Sequence, residues 1–195
     1  MAKYKETSVA ALFQNQVAKL GSKGCVAYKK GGRYTDISWN EMDVMIRKLG
    51  WYLMSIGIKK GDKVAIMLPN IPEFVYSCFA VFQSGAVAVL LNTGSTPYEL
   101  TYLLNNSDAK ILVTHAAGEK RYLEIKDQLA TCRNLLTIDP TQNAFLSENA
   151  SDIAAPPSVP IDADDPAVMI YTAGLTGKPL GAVLTHGKAY QQQHR

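Results

Sequence analysis

Residues 61–92 read GDKVAIMLPNIPEFVYSCFAVFQSGAVAVLLN. Lys60-Gly61-Asp62 is a turn, and Val64 to Leu68 has the unbroken apolar character of a strand buried on both faces. Asn70 is placed to cap a helix that carries Glu73 in its first turn and Phe74, Val75, Cys78, Phe79 and Phe82 as its apolar stripe. Gly85 stops that helix, and Val87 to Leu91 is the next strand. Strand, helix and strand in about thirty residues form the unit from which parallel sheets are built.

Working outward, the same alternation continues. Thr96-Pro97-Tyr98-Glu99 has the form of a capping box, with proline at the first helical position, where its missing donor costs nothing. A strand from Lys110 to Thr114, a helix from Glu119 to Ala130 and a strand from Leu135 to Ile138 follow. Towards the N-terminus, Val9, Leu12, Phe13, Val17 and Leu20 repeat at helical spacing. CVAYKKGGRYTDISW, residues 25–39, reads as a hairpin about Gly31-Gly32. Ser38 and Glu41 form a second capping box, opening a helix with Met42, Met45, Ile46, Leu49, Leu53 and Ile56 on one face. The expected fold class is α/β, a parallel sheet with helices on both faces. The reading divides the chain into an α/β unit over 1–139, a Pro-, Ser- and Asp-rich connector over 140–166, and a strand, loop and helix start over 167–195.

Composition narrows the function classes. The chain has 195 residues, 47% hydrophobic and 19% charged, with a net charge of +3. Lys29-Lys30 and Lys59-Lys60 with Lys63 are the dense basic spots. No aromatic or recognition-helix pattern accompanies them, so they read as solvated loops and no nucleic-acid partner is expected. Cys25, Cys78 and Cys132 are odd in number and scattered, which suits a reducing, cytoplasmic setting and argues against a disulfide framework. No Cys/His spacing resembles a zinc site. No apolar run approaches the ~18 residues of a membrane span.

The chemistry is carried by YTAGLTGKPLGAVLTH, residues 171–186. Gly174, Gly177 and Gly181 fall within eight residues, just after a strand at Ala167 to Tyr171. Glycines let a backbone turn aim several N–H groups at one anion. Thr172 and Thr176 add hydroxyl donors, and Lys178 adds a charge. The same residues also suit a glycine-rich hairpin with surface threonines, and from the residues alone both readings stand. A Walker loop is excluded, because Thr172 stands where it needs glycine, and the G-x-G-x-x-G fingerprint is absent.

This stretch resembles the signature loop of the adenylate-forming superfamily, which includes acyl-CoA synthetases, luciferases and peptide-synthetase adenylation domains. The family form is Tyr-Thr-Ser-Gly-Thr-Thr-Gly-x-Pro-Lys-Gly-Val followed by Thr-His. The chain matches at Tyr171, Thr172, Gly174, Thr176, Gly177, Pro179, Gly181, Thr185 and His186. Residues 61–92 and TPYELTYLLNNSDAKILV, residues 96–113, are similar to the family's first two units, and the long-chain-fatty-acid-CoA ligases are the most similar subfamily. The resemblance implies part of the large N-terminal domain of that fold. It implies a two-step activity, in which a carboxylate attacks the α-phosphate of Mg-ATP to give acyl-adenylate and pyrophosphate, and coenzyme A then displaces AMP. ATP, Mg2+ and coenzyme A are the implied substrates and cofactors, and a small-molecule carboxylate the implied partner. Thr172, Ala173, Gly174, Leu175, Thr176, Gly177 and Lys178 are the implied phosphate-binding residues. No catalytic residue and no metal ligand is named in this chain.

Three residues depart from the family form. Ala173 replaces serine, Leu175 replaces Thr or Ser, and Leu180 replaces lysine. Each lost donor is worth about 0.5 to 3 kcal/mol. An alternative is therefore a non-catalytic nucleotide- or partner-binding module with a degraded loop. The family's adenine, magnesium and ribose contacts and its catalytic lysine lie beyond the matching region. The expectation is thus an N-terminal piece of a ligase, inactive alone, whose uncovered apolar surface invites self-association; peripheral membrane contact is left open. The loop, residues 172–180, is expected to be mobile. His186 is expected to make a structural hydrogen bond that caps or orients the loop, His115 to be solvent-exposed, and the Tyr171 hydroxyl to be satisfied locally. Asp62 and Asn92 are expected to bond turn backbone.

Overall fold

The computed structural model describes residues 8–139, 159–172 and 178–191. Its centre is β3 (Lys63–Met67), which pairs in parallel with β4 (Val87–Leu90) on one side and β5 (Ala109–Thr114) on the other. β6 (Asn134–Thr137) extends the sheet beyond β5. Beyond β4 lies β7 (Pro166–Thr172), again parallel, and then β8 (Leu180–Thr185), which is antiparallel to β7. The order is β6-β5-β3-β4-β7-β8. The parallel sheet expected from the alternation is present, and Val64 stands beside both Ala88 and Ile111.

A parallel sheet must be covered on both faces, and period-two burial in β3 shows how. Val64 and Ile66 face one core and Ala65 and Met67 the other. The first core holds α1 (Val9–Leu20), α2 (Trp39–Ser55) and α3 (Pro72–Gln83). The second holds α4 (Pro97–Asn106) and α5 (Ala116–Ile125), the latter running into a 3-10 turn at Lys126–Gln128. The crossover through α3 moves one way along the sheet and that through α4 moves back over β3. Opposite directions require opposite faces when crossovers share one hand. β1 (Gly24–Lys30) and β2 (Arg33–Ser38) form a separate antiparallel hairpin turned at Gly31 and Gly32, both with positive φ. Phe13, Trp39 and Phe79 stack tilted at 4.7 to 5.5 Å between centroids, joining α1, α2 and α3. Ring pairs in this range add about 0.5 to 1.5 kcal/mol each beyond burial.

Both capping boxes form. Ser38 Oγ accepts from Glu41 N and Thr96 Oγ1 from Glu99 N, and each glutamate returns a bond to its cap backbone. Asn70 does not cap α3. Pro72 forces the residue before it into extended backbone, so Ile71 takes the cap position at φ −123° and Glu73 is the second helical residue. α5 runs from Ala116 to Ile125 rather than from Glu119 to Ala130, its end tightening into the 3-10 turn, and Gly118 packs closely on Thr114 and Met67. Lys60 is not merely solvated: its Nζ donates to the Pro160 carbonyl at 2.8 Å and pairs with Asp165 at 2.6 Å. This fastens residues 160–165 across the amino ends of β3 and β4. Among the described residues no helix is long and apolar enough to cross a membrane.

Two glycine substitutions separate close packing from backbone entropy. A Cβ on Gly118 would lie 1.9 Å from Thr114 Oγ1 and 2.7 Å from Met67 Cε. Gly118→Ala should destabilise by about 1 to 3 kcal/mol through overpacking. Gly50, inside α2, would meet nothing nearer than 3.8 Å. Gly50→Ala should stabilise by about 0.5 to 1 kcal/mol. Thermal unfolding reads both, at about 2 to 4 °C per kcal/mol for a chain of this size.

Candidate functional site

The carboxyl ends of β4 and β7 open on a cleft of about 390 Å³. Clefts there, outside the strand ends of an open α/β sheet, are the usual ligand positions. Its polar wall is Asn92, Ser95, Glu99 and Thr172, and its apolar wall includes Leu90 and Leu103. The wall is built by the β4–α4 turn. Asn92 Oδ1 accepts from Gly94 N at 2.7 Å, and Arg121 of α5 donates to the Thr93 carbonyl. Glu99 is occupied by its capping box, and the Thr96 N–H and hydroxyl hold its carboxyl below the usual carboxylate range. It is therefore an anion that shapes the wall rather than a proton donor at neutral pH. The expected backbone roles of Asn92 and Asp62 hold, Asp62 accepting from Lys59 N at 2.9 Å.

The glycine-rich stretch joins β7 to β8. Thr172 and Leu180 are directly opposed in that pair, with Thr172 Oγ1 3.5 Å from the Leu180 carbonyl. Thr172 and Lys178 are exposed, and Thr172 and Pro179 both border the cleft. Leu180, at the family's lysine position, is 62% exposed, so it neither supplies a charge nor docks as an apolar pin. Ala173, Gly174, Leu175, Thr176 and Gly177 lie outside the described residues, and with them the expectation of a mobile loop. Both limbs of the hairpin are bonded to α4. Tyr171 Oη donates to Asn106 Oδ1 at 2.8 Å, and Tyr102 Oη donates to the Pro179 carbonyl at 3.1 Å. The Tyr171 hydroxyl is thus satisfied across 65 residues of sequence rather than by its own strand. Tyr102 carried no readable signal beyond helical periodicity.

The histidines differ from expectation. His186 opens a short helix, α6 (His186–Gln191), beside the start of β7, since Thr185 pairs with Pro166. It lies a strand length, about 17 Å, from the loop, and so does not cap it. Its side chain is fully buried edge-on to Phe82 at 5.8 Å, and neither ring nitrogen has a hydrogen-bond partner among the described residues. The backbone N–H instead reaches the Asp165 carbonyl at 3.0 Å. Burial pushes the imidazole below its usual range, with the Asp165 carboxylate opposing and Lys60 assisting. His115 is half-buried at the cap position of α5, with Nδ1 enclosed and unpartnered among the described residues, because its carbonyl, not its ring, bonds the helix start.

A family model described as AMP-binding enzyme matches residues 13–194. The chain belongs to the AMP-binding enzyme family. Crotonobetaine/carnitine–CoA ligase of Escherichia coli O1:K1 is 32% identical over 169 residues, 83% of this chain and 33% of the relative. The N-terminal domain of FACL13 from Mycobacterium tuberculosis superposes with a TM-score of 0.79 at 25% identity, over 93% of this chain and 45% of that one. A long-chain-fatty-acid-CoA ligase from Archaeoglobus fulgidus gives 0.80 at 24%, over 95% and 38%, and shows the shared fold. The chain spans about a third of the length of the curated relatives it matches.

His186 gives a pH test. An imidazole whose folded value is depressed stabilises the fold fully above its unfolded value, about 6.5, and that contribution is lost as pH falls from there towards the folded value. The contribution of His186 to the unfolding midpoint should be flat above about pH 7 and decline below about 6.5. His186→Leu, which cannot titrate, should remove that part of the decline in a pH series of thermal melts.

Proposed function

We propose that this chain is the phosphate-binding part of an ATP-dependent acyl-CoA synthetase, an acid–thiol ligase that activates a carboxylic acid as acyl-adenylate and passes the acyl group to coenzyme A. The observation that supports it most is the family signature from Tyr171 to His186, whose limbs border the cleft at the ends of β4 and β7. In this reading Thr172, Ala173, Gly174, Leu175, Thr176, Gly177 and Lys178 bind the β- and γ-phosphates, the hydroxyls and backbone N–H groups as donors and Lys178 as the cation. A nest of such donors replaces the hydration of a polyphosphate. Mg2+ enters as the companion of ATP. Among the described residues no three acidic, histidine or cysteine side chains gather to hold a metal ion, so none of them is assigned to it. We take the carboxylate as a fatty acid, after the resemblance to long-chain ligases. The relative named for crotonobetaine and carnitine supports a small polar carboxylate instead. A reducing, cytoplasmic setting fits Cys25, Cys78 and Cys132, all free thiols.

The exposed Leu180 favours a second reading, a module that binds nucleotide or a partner without turnover. Restoring the family residue tests the phosphate-loop assignment that both readings share for nucleotide, and pyrophosphate release separates turnover from binding alone. Calorimetric titration of the 195-residue chain with Mg-ATP should show weak binding, with Kd about 1 mM or above. Leu180→Lys should tighten it about two- to tenfold, the worth of one recovered donor. The unaltered chain should release no pyrophosphate from ATP with coenzyme A and short-, medium- or long-chain carboxylates. Release that Gly177→Pro abolishes would show that the chain carries the chemistry by itself. No ATP binding in either form would sink the phosphate-loop assignment.

A further inference from the structure

We propose that Tyr102 is a positioning residue for the phosphate-binding loop, acting through the Pro179 carbonyl; this rests on the reading of the loop given above. The hairpin that carries the loop lies at the sheet margin, and β8 has a strand neighbour on one side only among the described residues. At its open end strand pairing stops at Thr172 opposite Leu180. Beyond that pair, among the described residues, the bond from Tyr102 to Pro179 O ties the second limb to the body of the protein. The first limb is tied by Tyr171 to Asn106. Tyr102 and Asn106 are four residues apart on α4 and therefore share one face, so a single helix sets the position of both limbs.

α4 is suited to that task. Its start is locked by Pro97 and the Thr96–Glu99 box, and Leu100 and Leu104 are fully buried against the sheet. The turn that precedes it forms the polar wall of the cleft. One rigid element thus borders the cleft and fixes the spacing of the limbs. Proline fixes φ near −65°, so a bond to the Pro179 carbonyl orients the whole 178–180 segment. Lys178, the cation of the site, immediately precedes it. Loss of the Tyr102 hydroxyl leaves Lys178 without a fixed origin while the helix stays packed.

Tyr102→Phe tests this by calorimetric titration with inorganic tripolyphosphate and with Mg-ATP. The expected result is an affinity about three- to tenfold weaker for both, the worth of one hydrogen bond, with the thermal midpoint within about 2 to 4 °C of the unaltered chain. Hydrogen exchange of the amides from Leu180 to Ala182 should quicken without ligand. Tyr98→Phe removes a phenol from the same helix at an 83% exposed position and should change none of these readouts. If Tyr102→Phe does not fold, Tyr171→Phe releases the other limb and should show the same weakening. Unchanged tripolyphosphate affinity with unchanged exchange overturns the positioning role alone. A matched large fall in midpoint and affinity makes Tyr102 a general packing residue and overturns it too. No tripolyphosphate binding by the unaltered chain overturns the loop assignment itself, and the positioning role with it.

Discussion

The constraint on which everything else rests is that β3 is buried on both faces and hydrogen-bonded on both edges. Val64, Ala65, Ile66 and Met67 are all fully buried. A strand in that position has no solvent-facing side to absorb a polar residue, so it fixes two helical layers at once. Because the strands from β6 to β7 run parallel, their carboxyl ends share one rim of the sheet. The β4–α4 turn emerges there beside Tyr171, Thr172 and Pro179, and the cleft is the space between them. The site is thus a consequence of strand direction before it is a matter of particular side chains.

Features that follow from short-range geometry were legible in the sequence. Ser38 with Glu41 and Thr96 with Glu99 satisfy each other across three residues, so spacing alone specifies the bonds. The buried character of Val64 to Leu68 was legible for the same reason that the sheet is parallel. Asn70 misled because its amide suits a cap, whereas the backbone restriction that Pro72 places on Ile71 decides where the helix begins. Lys60 looked like one of several surface lysines, and only the return of the chain a hundred residues later gives it Pro160 and Asp165.

The site was legible as a motif but not as a construction. Spacing from Tyr171 to His186 points to the loop, yet nothing in that spacing reveals that α4 bonds both of the described limbs. Tyr102 reaches Pro179 across 77 residues, a relation that exists only once the strands are ordered. His186 shows the reverse error. It belongs to the motif in sequence, but the hairpin carries it to the far rim, where burial against Phe82 suppresses the proton rather than presenting it. Among the described residues neither ring nitrogen has a partner, and a buried polar group left so costs about 1 to 3 kcal/mol.

The last strand has a consequence for handling the molecule. β8 reads LGAVLT, with neither charge nor proline, and Leu180 and Val183 lie open to solvent at the sheet margin. Strands at margins normally carry lysine, proline or a bulge that discourages a foreign strand from adding. Among the described residues no strand pairs with the outer edge of β8. An uncharged edge of this kind favours addition of a foreign strand as the 195-residue chain is concentrated, and a single lysine in place of Val183 is the substitution that would oppose it.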